Sequence, residues 1–158
     1  MRGNVPTPFG SLAIDTSERG IVACGTWLGH PAGDDSRSAR QHLGAAREAL
    51  AAYLAGTRRD FADLVLIPHG TAFARSVYAE LCRIPLGETT TYAALAARIG
   101  RPRAARAVGR ANACNRIGIF QPCHRVVGSD GSLTGFAGGL AMKQWLLDHE
   151  RSIAGRAA

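Results

Sequence analysis

Residues 89–111, TTTYAALAARIGRPRAARAVGRA, hold two short runs of helix-forming residues separated by Gly100-Arg101-Pro102. The threonines ahead of the first run can cap its amino end, and Gly100 can close its carboxyl end. Arg101-Pro102 opens the second run, with Pro102 near the first turn of a helix, where a missing N–H costs nothing. Two short helices joined by a tight turn predict a helix-turn-helix. At about 100° per residue, Ala104, Val108 and Ala111 fall within about 60° of one another and make a narrow apolar stripe. Arg103, Arg106 and Arg110 gather within a similar arc of about 60° on another side. Small residues, including Ala105, Ala107 and Gly109, fill most other positions. Such a helix can pack on its partner and still press closely against a phosphodiester backbone.

The charge of the chain supports that use. Residues 1–70 carry seven arginines and seven carboxylates, whereas residues 71–158 carry twelve basic and five acidic residues, the whole of the net +7. From Arg98 to Arg125 there are seven arginines and no carboxylate. A field this lopsided attracts a polyanion, most often nucleic acid.

Upstream, the pattern differs. SLAID (11–15) and GIVACGTWL (20–28) are short apolar stretches around a Ser17–Gly20 turn, which predicts a hairpin. GHPAGDDSRS (29–38) is a polar loop. Leu43, Ala46, Leu50 and Leu54, with Tyr53, recur at helical spacing over 39–55, and Gly56 supplies a stop. ADLVLI (62–67) is a candidate third strand, and Pro68-His69-Gly70 marks a domain boundary. Two domains are therefore expected, 1–68 and 71–158. In the second, Phe73, Val77, Leu81 and Ile84 form one apolar stripe ended by Pro85-Leu86-Gly87. With 46% hydrophobic and 20% charged residues the composition is globular. No apolar run approaches the ~20 residues that span a bilayer, and MRGNVPTPFG holds no signal-like hydrophobic segment, so the cytoplasm is the expected compartment.

Residues 120–131, FQPCHRVVGSDG, place a thiol, an imidazole and a guanidinium in a row after a proline. Cys123 and His124 could be a nucleophile with its base, half of a metal site, or a pair in a buried turn. The chain has no C-x-x-C and no H-x-x-x-H spacing, so a structural zinc would need ligands from distant segments. With no secretory signal, Cys24, Cys82, Cys114 and Cys123 are expected as free thiols. A nucleophilic thiol needs a base or a positive charge, because an unperturbed cysteine pKa of ~8.5 leaves little thiolate at neutral pH. Neighbours in sequence seldom point side chains at each other, so one bridging water is a better link between Cys123 and His124 than direct contact. His124 also needs a carboxylate to hold its tautomer. The residues alone leave Glu80, Glu88, Asp130, Asp148 and Glu150 open for that role.

Pro122-Cys123-His124-Arg125-Val126-Val127 resembles the active-site signature of the O6-alkylguanine-DNA alkyltransferases. The similarity runs on through GSDGSLTGFAGGLAMKQWLLDHE (128–150) and back through RAVGRANACN (106–115) and IPLGETTTYAALAARIG (84–100). In the first half it is looser, mainly at TPFGSLAI (7–14) and the strand after it. The resemblance implies an α+β fold, with a small N-terminal ribonuclease H-like sheet-and-helix domain and a C-terminal winged-helix, helix-turn-helix-like domain. It implies irreversible, single-turnover transfer of the alkyl group from O6-alkylguanine, and from O4-alkylthymine, in DNA to Cys123, with no cofactor and no metal. By that resemblance His124 deprotonates Cys123 through water, Glu150 orients His124, and Asn115 ties the recognition helix to the acceptor segment. Tyr92 protonates or polarises the leaving guanine. Arg106 enters the base stack in place of the flipped nucleotide, and Arg103, Arg110, Ala107 and Gly109 complete the DNA-facing helix. Val126, Phe136 and Ala137 line the pocket, Lys143 steadies its loop, and Arg125 is support beside the DNA-facing surface. The partner is double-stranded DNA bound from the minor groove by a monomer.

Three departures from the family pattern stand out. Asn115-Arg116-Ile117-Gly118 replaces the usual Asn-Pro and later proline, which predicts a looser connection. Gln121 stands where an aliphatic residue is common, and Phe136 where many relatives carry tyrosine. The rival functions are a lesion-binding module that flips bases without transfer and a cysteine hydrolase. The hydrolase offers no reason for the arginine-rich helix.

Overall fold

A computed structural model describes residues 1–26 and 34–155. The chain forms two compact units, one of Met1–Pro68 with Arg116–Phe120, the other of His69–Asn115 with Gln121–Ala158. Residues 116–120 thus leave the second half of the sequence to join the first unit, which a linear division at 68–71 does not capture.

In the first unit, β1 (Arg2–Thr7), β2 (Gly10–Ser17) and β3 (Gly20–Gly25) form an antiparallel meander. β1 has no counterpart in the sequence reading. Leu12, Ile14 and Thr16 alternate along β2 toward the core, and Asp15 between them pairs with Arg2 at 2.6 and 2.7 Å. α1 (Arg37–Leu54) begins at Ser36, whose hydroxyl accepts from the Ala39 N–H at 3.1 Å. Ala39, Leu43, Ala46, Ala49, Leu50 and Tyr53 are its buried stripe. Tyr53 rather than Leu54 fills the last core position, and Leu54 is only half-buried.

The expected third strand over 62–67 does not form. Leu66 makes one parallel bridge to Ile21, through Ile21 N–H to Val65 O and Ile67 N–H to Ile21 O, both 2.8 Å. The reason is that the free edge of β3 is shared. Ile21 takes Leu66, while Cys24, three residues on, takes Ile117, so neither segment has room for a ladder. Gly20, at φ 145°, admits this approach, since a Cβ there would collide with the Val65 carbonyl. β3 ends at Gly25; Trp27 and Leu28, expected at its end, and residues 29–33 of the expected loop lie outside the described residues, as does the end of the tail after Gly155.

The connection that lacks the family's prolines is pinned instead by backbone pairing. Cys24 N–H donates to Arg116 O at 2.7 Å and Gly118 N–H to Cys24 O at 2.9 Å. Ile117, Ile119 and Phe120 are buried, and Phe120 meets Phe61 edge-on at 4.8 Å. Ile119 adopts φ 67°, a left-handed conformation that a β-branched residue resists at a cost of about 1–3 kcal/mol. Burying its side chain returns about 1.5–3 kcal/mol. The expected looseness is therefore replaced by two hydrogen bonds and three buried side chains.

In the second unit, α2 (Ala72–Leu81), β4 (Thr90–Thr91), α3 (Tyr92–Arg98), α4 (Ala105–Ala113), a 3-10 turn (Cys123–Arg125), β5 (Val126–Val127) and α5 (Leu140–Gly155) follow in order. β4 and β5 pair in parallel, Thr90 with Val126 and Thr91 with Val127. Thr91 caps α3, its hydroxyl accepting from Ala94 N–H at 3.1 Å. Val77, Leu81, Ile84, Leu95, Val108, Cys123 and Val126 share one core. The second helix of the helix-turn-helix starts later than Arg101-Pro102 predicts. Residues 101–104 close a turn, Ala104 N–H to Arg101 O at 2.8 Å, and α4 begins at Ala105. Pro102 serves this turn rather than a helical first turn. The helical arc therefore applies to Arg106 and Arg110, while the turn places Arg103.

Candidate active site

The Cys123 segment is set by what precedes it. Cys123 N–H donates to Gln121 O at 2.7 Å and Arg125 N–H to Pro122 O at 3.1 Å, which folds Pro122-Cys123-His124-Arg125 into a tight turn feeding β5. The end of α4 holds this turn with two amides. Asn112 Nδ2 donates to Cys123 O at 3.3 Å, and Asn115 Nδ2 to Gln121 O at 2.8 Å. Only Asn115 was expected here. Asn112 lies one helical turn earlier on the buried side of α4 beside Val108 and Ala111, a position the helical spacing could have flagged.

Cys123 is buried, and burial raises its pKa, while the Asn115 side chain and the Lys143 charge pull the other way. The resting group is a neutral thiol, so attack requires that the proton be taken as the bond forms. His124 can take it. Its Nε2 lies 2.8 Å from Glu150 Oε1, and both side chains are fully buried. Burial lowers the His124 pKa against the pull of Glu150, so the ring is neutral. A neutral ring facing a carboxylate carries its proton on Nε2, which leaves the lone pair on Nδ1. Nδ1 is buried with no hydrogen-bond partner, so no direct bond joins the thiol to the imidazole.

Glu150 is the hub. Arg125 Nε donates to Oε2 and Arg125 NH2 to Oε1, both at 2.9 Å, and Gly87 N–H reaches Oε2 at 3.2 Å. Arg125 NH1 also donates to Ile84 O. Burial alone would raise the Glu150 pKa, but the His124 hydrogen bond and the hydrogen bonds and charge of Arg125 hold it far below the usual carboxylate range. Arg125 is 6% exposed, so it is not surface support. It belongs inside the buried network, where its charge keeps Glu150 ionised and opposes protonation of His124. A guanidinium between His124 and Val126 in an apolar run was the available signal.

Lys143, the only lysine of the chain, is fully buried on α5. Its Nζ donates to Val126 O at 2.7 Å and Thr134 O at 2.9 Å, which ties β5 to the 128–139 loop. Phe136 is half-buried against the Cys123 core and edge-on to His124, centroids 6.5 Å apart. Val126 is buried beside Cys123, and Ala137 is exposed. Tyr92, at the start of α3, places its hydroxyl 2.8 Å from Thr134 Oγ1. Arg103, Arg106, Ala107 and Arg110 are exposed, and Gly109 is half-buried against the Tyr92 ring. Among the described residues no group of three or more His, Cys, Asp or Glu side chains could hold a metal ion.

This arrangement has relatives. Residues 72–152 match the model of the 6-O-methylguanine DNA methyltransferase DNA-binding domain. A methylated-DNA–protein-cysteine methyltransferase of Methanosarcina barkeri is 50% identical over 108 residues, 68% of this chain and 67% of that one. The chain belongs to the 6-O-methylguanine DNA methyltransferase family. A methylated-DNA–protein-cysteine methyltransferase of Salmonella typhimurium is also 50% identical, over 68% of this chain and 63% of that protein, so the alignments span about two thirds of the curated relatives. A structure of Mycobacterium tuberculosis OGT in complex with DNA superimposes with TM-score 0.80 at 37% identity, covering 95% of this chain and 92% of that one. Among the described residues the architecture, mixed α/β with five helices and small sheets, is that of these methyltransferases. Among the described residues no helix is long and apolar enough to cross a membrane.

Proposed function

We infer that this chain repairs DNA by direct reversal, taking the alkyl group of O6-alkylguanine, and of O4-alkylthymine, onto Cys123. The observation that carries the reading is the buried His124–Glu150 pair, Nε2 to Oε1 at 2.8 Å, with Nδ1 buried and unpartnered and the preceding residue, Cys123, a buried thiol. The Cys123 proton passes to Nδ1, through one water in this reading. The sulfur attacks the alkyl carbon, an S–C bond forms and the C–O6 bond breaks, and its electron pair stays on the departing guanine. The hydroxyl of Tyr92 donates a hydrogen bond to that base as charge develops. The thioether has no route back, so each molecule acts once.

Arg106, Arg110 and Ala107 on the exposed side of α4, with Arg103 in the preceding turn, present DNA with positive charge on small residues. Arg106 fills the stack left by the flipped nucleotide, and α4 enters the minor groove. The finer fold assignment belongs to the same reading, with a ribonuclease H-like first unit and a winged-helix-like second. So does action as a monomer in the cytoplasm.

The test is a duplex carrying one O6-methylguanine, followed by mass spectrometry of the Cys123 peptide. One added methyl, with product capped at one per protein, is expected, and Cys123→Ala should lose transfer while keeping DNA affinity. Binding with no mass change would leave a lesion-binding module, and turnover beyond stoichiometry would point to a hydrolase.

A further inference from the structure

We propose that Thr134 is a positioning residue for the transfer step, and that its hydroxyl sets the direction in which Tyr92 offers its proton. The inference rests on the reading of Tyr92 as the hydrogen-bond donor to the departing guanine.

Thr134 is anchored from both sides. Its carbonyl accepts from Lys143 Nζ at 2.9 Å, and the same ammonium donates to Val126 O three residues beyond Cys123. Its hydroxyl meets Tyr92 Oη at 2.8 Å. The loop around it is closed by Gly128 N–H to Ser132 O at 2.8 Å and Gly139 N–H to Phe136 O at 2.9 Å. Thr134 lies between these turns and joins the loop to the first residue of α3. The Tyr92 ring in turn lies against Gly109, where a Cβ would come within 3.7 Å of it. A continuous set of contacts therefore runs from the DNA-facing helix, through Tyr92 and Thr134, to the strand that follows the acceptor.

The chemistry of two hydroxyls gives this contact a direction. Each can donate or accept, and when one donates to the other the recipient's proton is free to turn elsewhere. When Thr134 donates to Tyr92 Oη, the phenolic O–H is released for the base, and the Thr134 O–H stabilises charge that builds on Oη as that proton shifts. When Tyr92 donates to Thr134, its proton is spent within the protein. The carbonyl bond to Lys143 fixes where the Thr134 side chain starts, so Tyr92 has a prepared partner before DNA arrives. Phe136 carries no hydroxyl, which concentrates this role on Thr134.

Thr134→Val keeps the shape of the side chain and removes the hydroxyl, and Thr134→Ser keeps the hydroxyl. Single-turnover methyl transfer and duplex affinity are measured for both, each alone and combined with Tyr92→Phe. Thr134→Val is expected to slow transfer by about tenfold, the worth of one lost hydrogen bond, with the duplex Kd within about twofold. Thr134→Ser should recover most of the rate, and in the Tyr92→Phe background Thr134→Val should cost little more. A Thr134→Val rate equal to wild type beside a slow Tyr92→Phe would overturn the inference and leave the role of Tyr92 intact. Equal slowing by Thr134→Val in both backgrounds would also overturn it, because Thr134 would then only shape the loop. A Tyr92→Phe protein as fast as wild type would remove the Tyr92 reading itself, and the inference with it.

Discussion

Arg125 and the arginines around α4 are the same residue type in opposite settings. Arg125 is buried, bidentate to Glu150 and bonded to the Ile84 carbonyl. Arg103, Arg106 and Arg110 are exposed, on a stretch from Arg98 to Arg125 that contains no carboxylate. In the first setting the charge is neutralised within the protein, and desolvation makes its geometry costly to disturb. In the second it is left uncompensated, so its natural counterion is a phosphate. The contrast separates a network that sets protonation states from a surface that sets affinity, and each can be broken without the other.

The largest effect belongs to the buried side. Glu150→Gln leaves Arg125 without its counter-charge and is expected to destabilise the protein by about 3–5 kcal/mol, read from urea unfolding. A loss no larger than a surface substitution produces would place the Arg125–Glu150 pair in water. On the exposed side, the role proposed for Arg106 in the base stack predicts that Arg106→Ala slows transfer by about 10–100-fold, with Cys123 reactivity toward a free O6-alkylated base unchanged. A matching fall with the free base would move Arg106 from the stack to the chemistry.

Acid should act on the buried network and leave the exposed arginines charged. The Glu150 pKa is depressed in the fold, so its stabilisation is complete above the unfolded value near 4.5 and is lost as pH falls below it. His124 is depressed too, so the unfolded chain binds its proton first, and stability begins to drop as pH falls through about 6.5. The two signs agree, and unfolding curves across pH 3–8 should show stability falling monotonically toward acid. Transfer should hold down to pH values below the ordinary histidine pKa. Because Arg125 helps to depress His124, Arg125→Gln should move the acid limb of the rate profile upward. The smallest effects come from Arg103→Ala and Arg110→Ala. Each should weaken binding evenly across DNA sequences and reduce the slope of log K against log salt by about one.

Much of the second unit was legible because its signals are local. The Thr91 cap, the Gly100 stop and the Val108–Ala111 stripe act within a few residues, and the helix-turn-helix follows from them. The start of α4 was misread because Pro102 suits a tight turn as well as a first helical turn, and the bond from Ala104 to Arg101 decides between them. In the first unit, the 62–67 segment has strand composition but shares the edge of β3 with Ile117. Composition does not record that competition.

The sequence by itself determined the helix-turn-helix, the basic surface and the adjacency of Cys123, His124 and Arg125, because periodicity, charge and adjacency are properties of neighbouring residues. Glu150 was only one of five carboxylates until resemblance singled it out. The tertiary structure decided that Arg125 shares that carboxylate with His124, that Asn112 joins Asn115 on the Cys123 turn, and that Ile117 pairs with Cys24 of β3. It also brought Thr134 to Tyr92. Each of these is a contact between side chains or strands distant in the chain. Its energy comes from desolvation and hydrogen-bond geometry, which exist only once the chain path has brought the partners together.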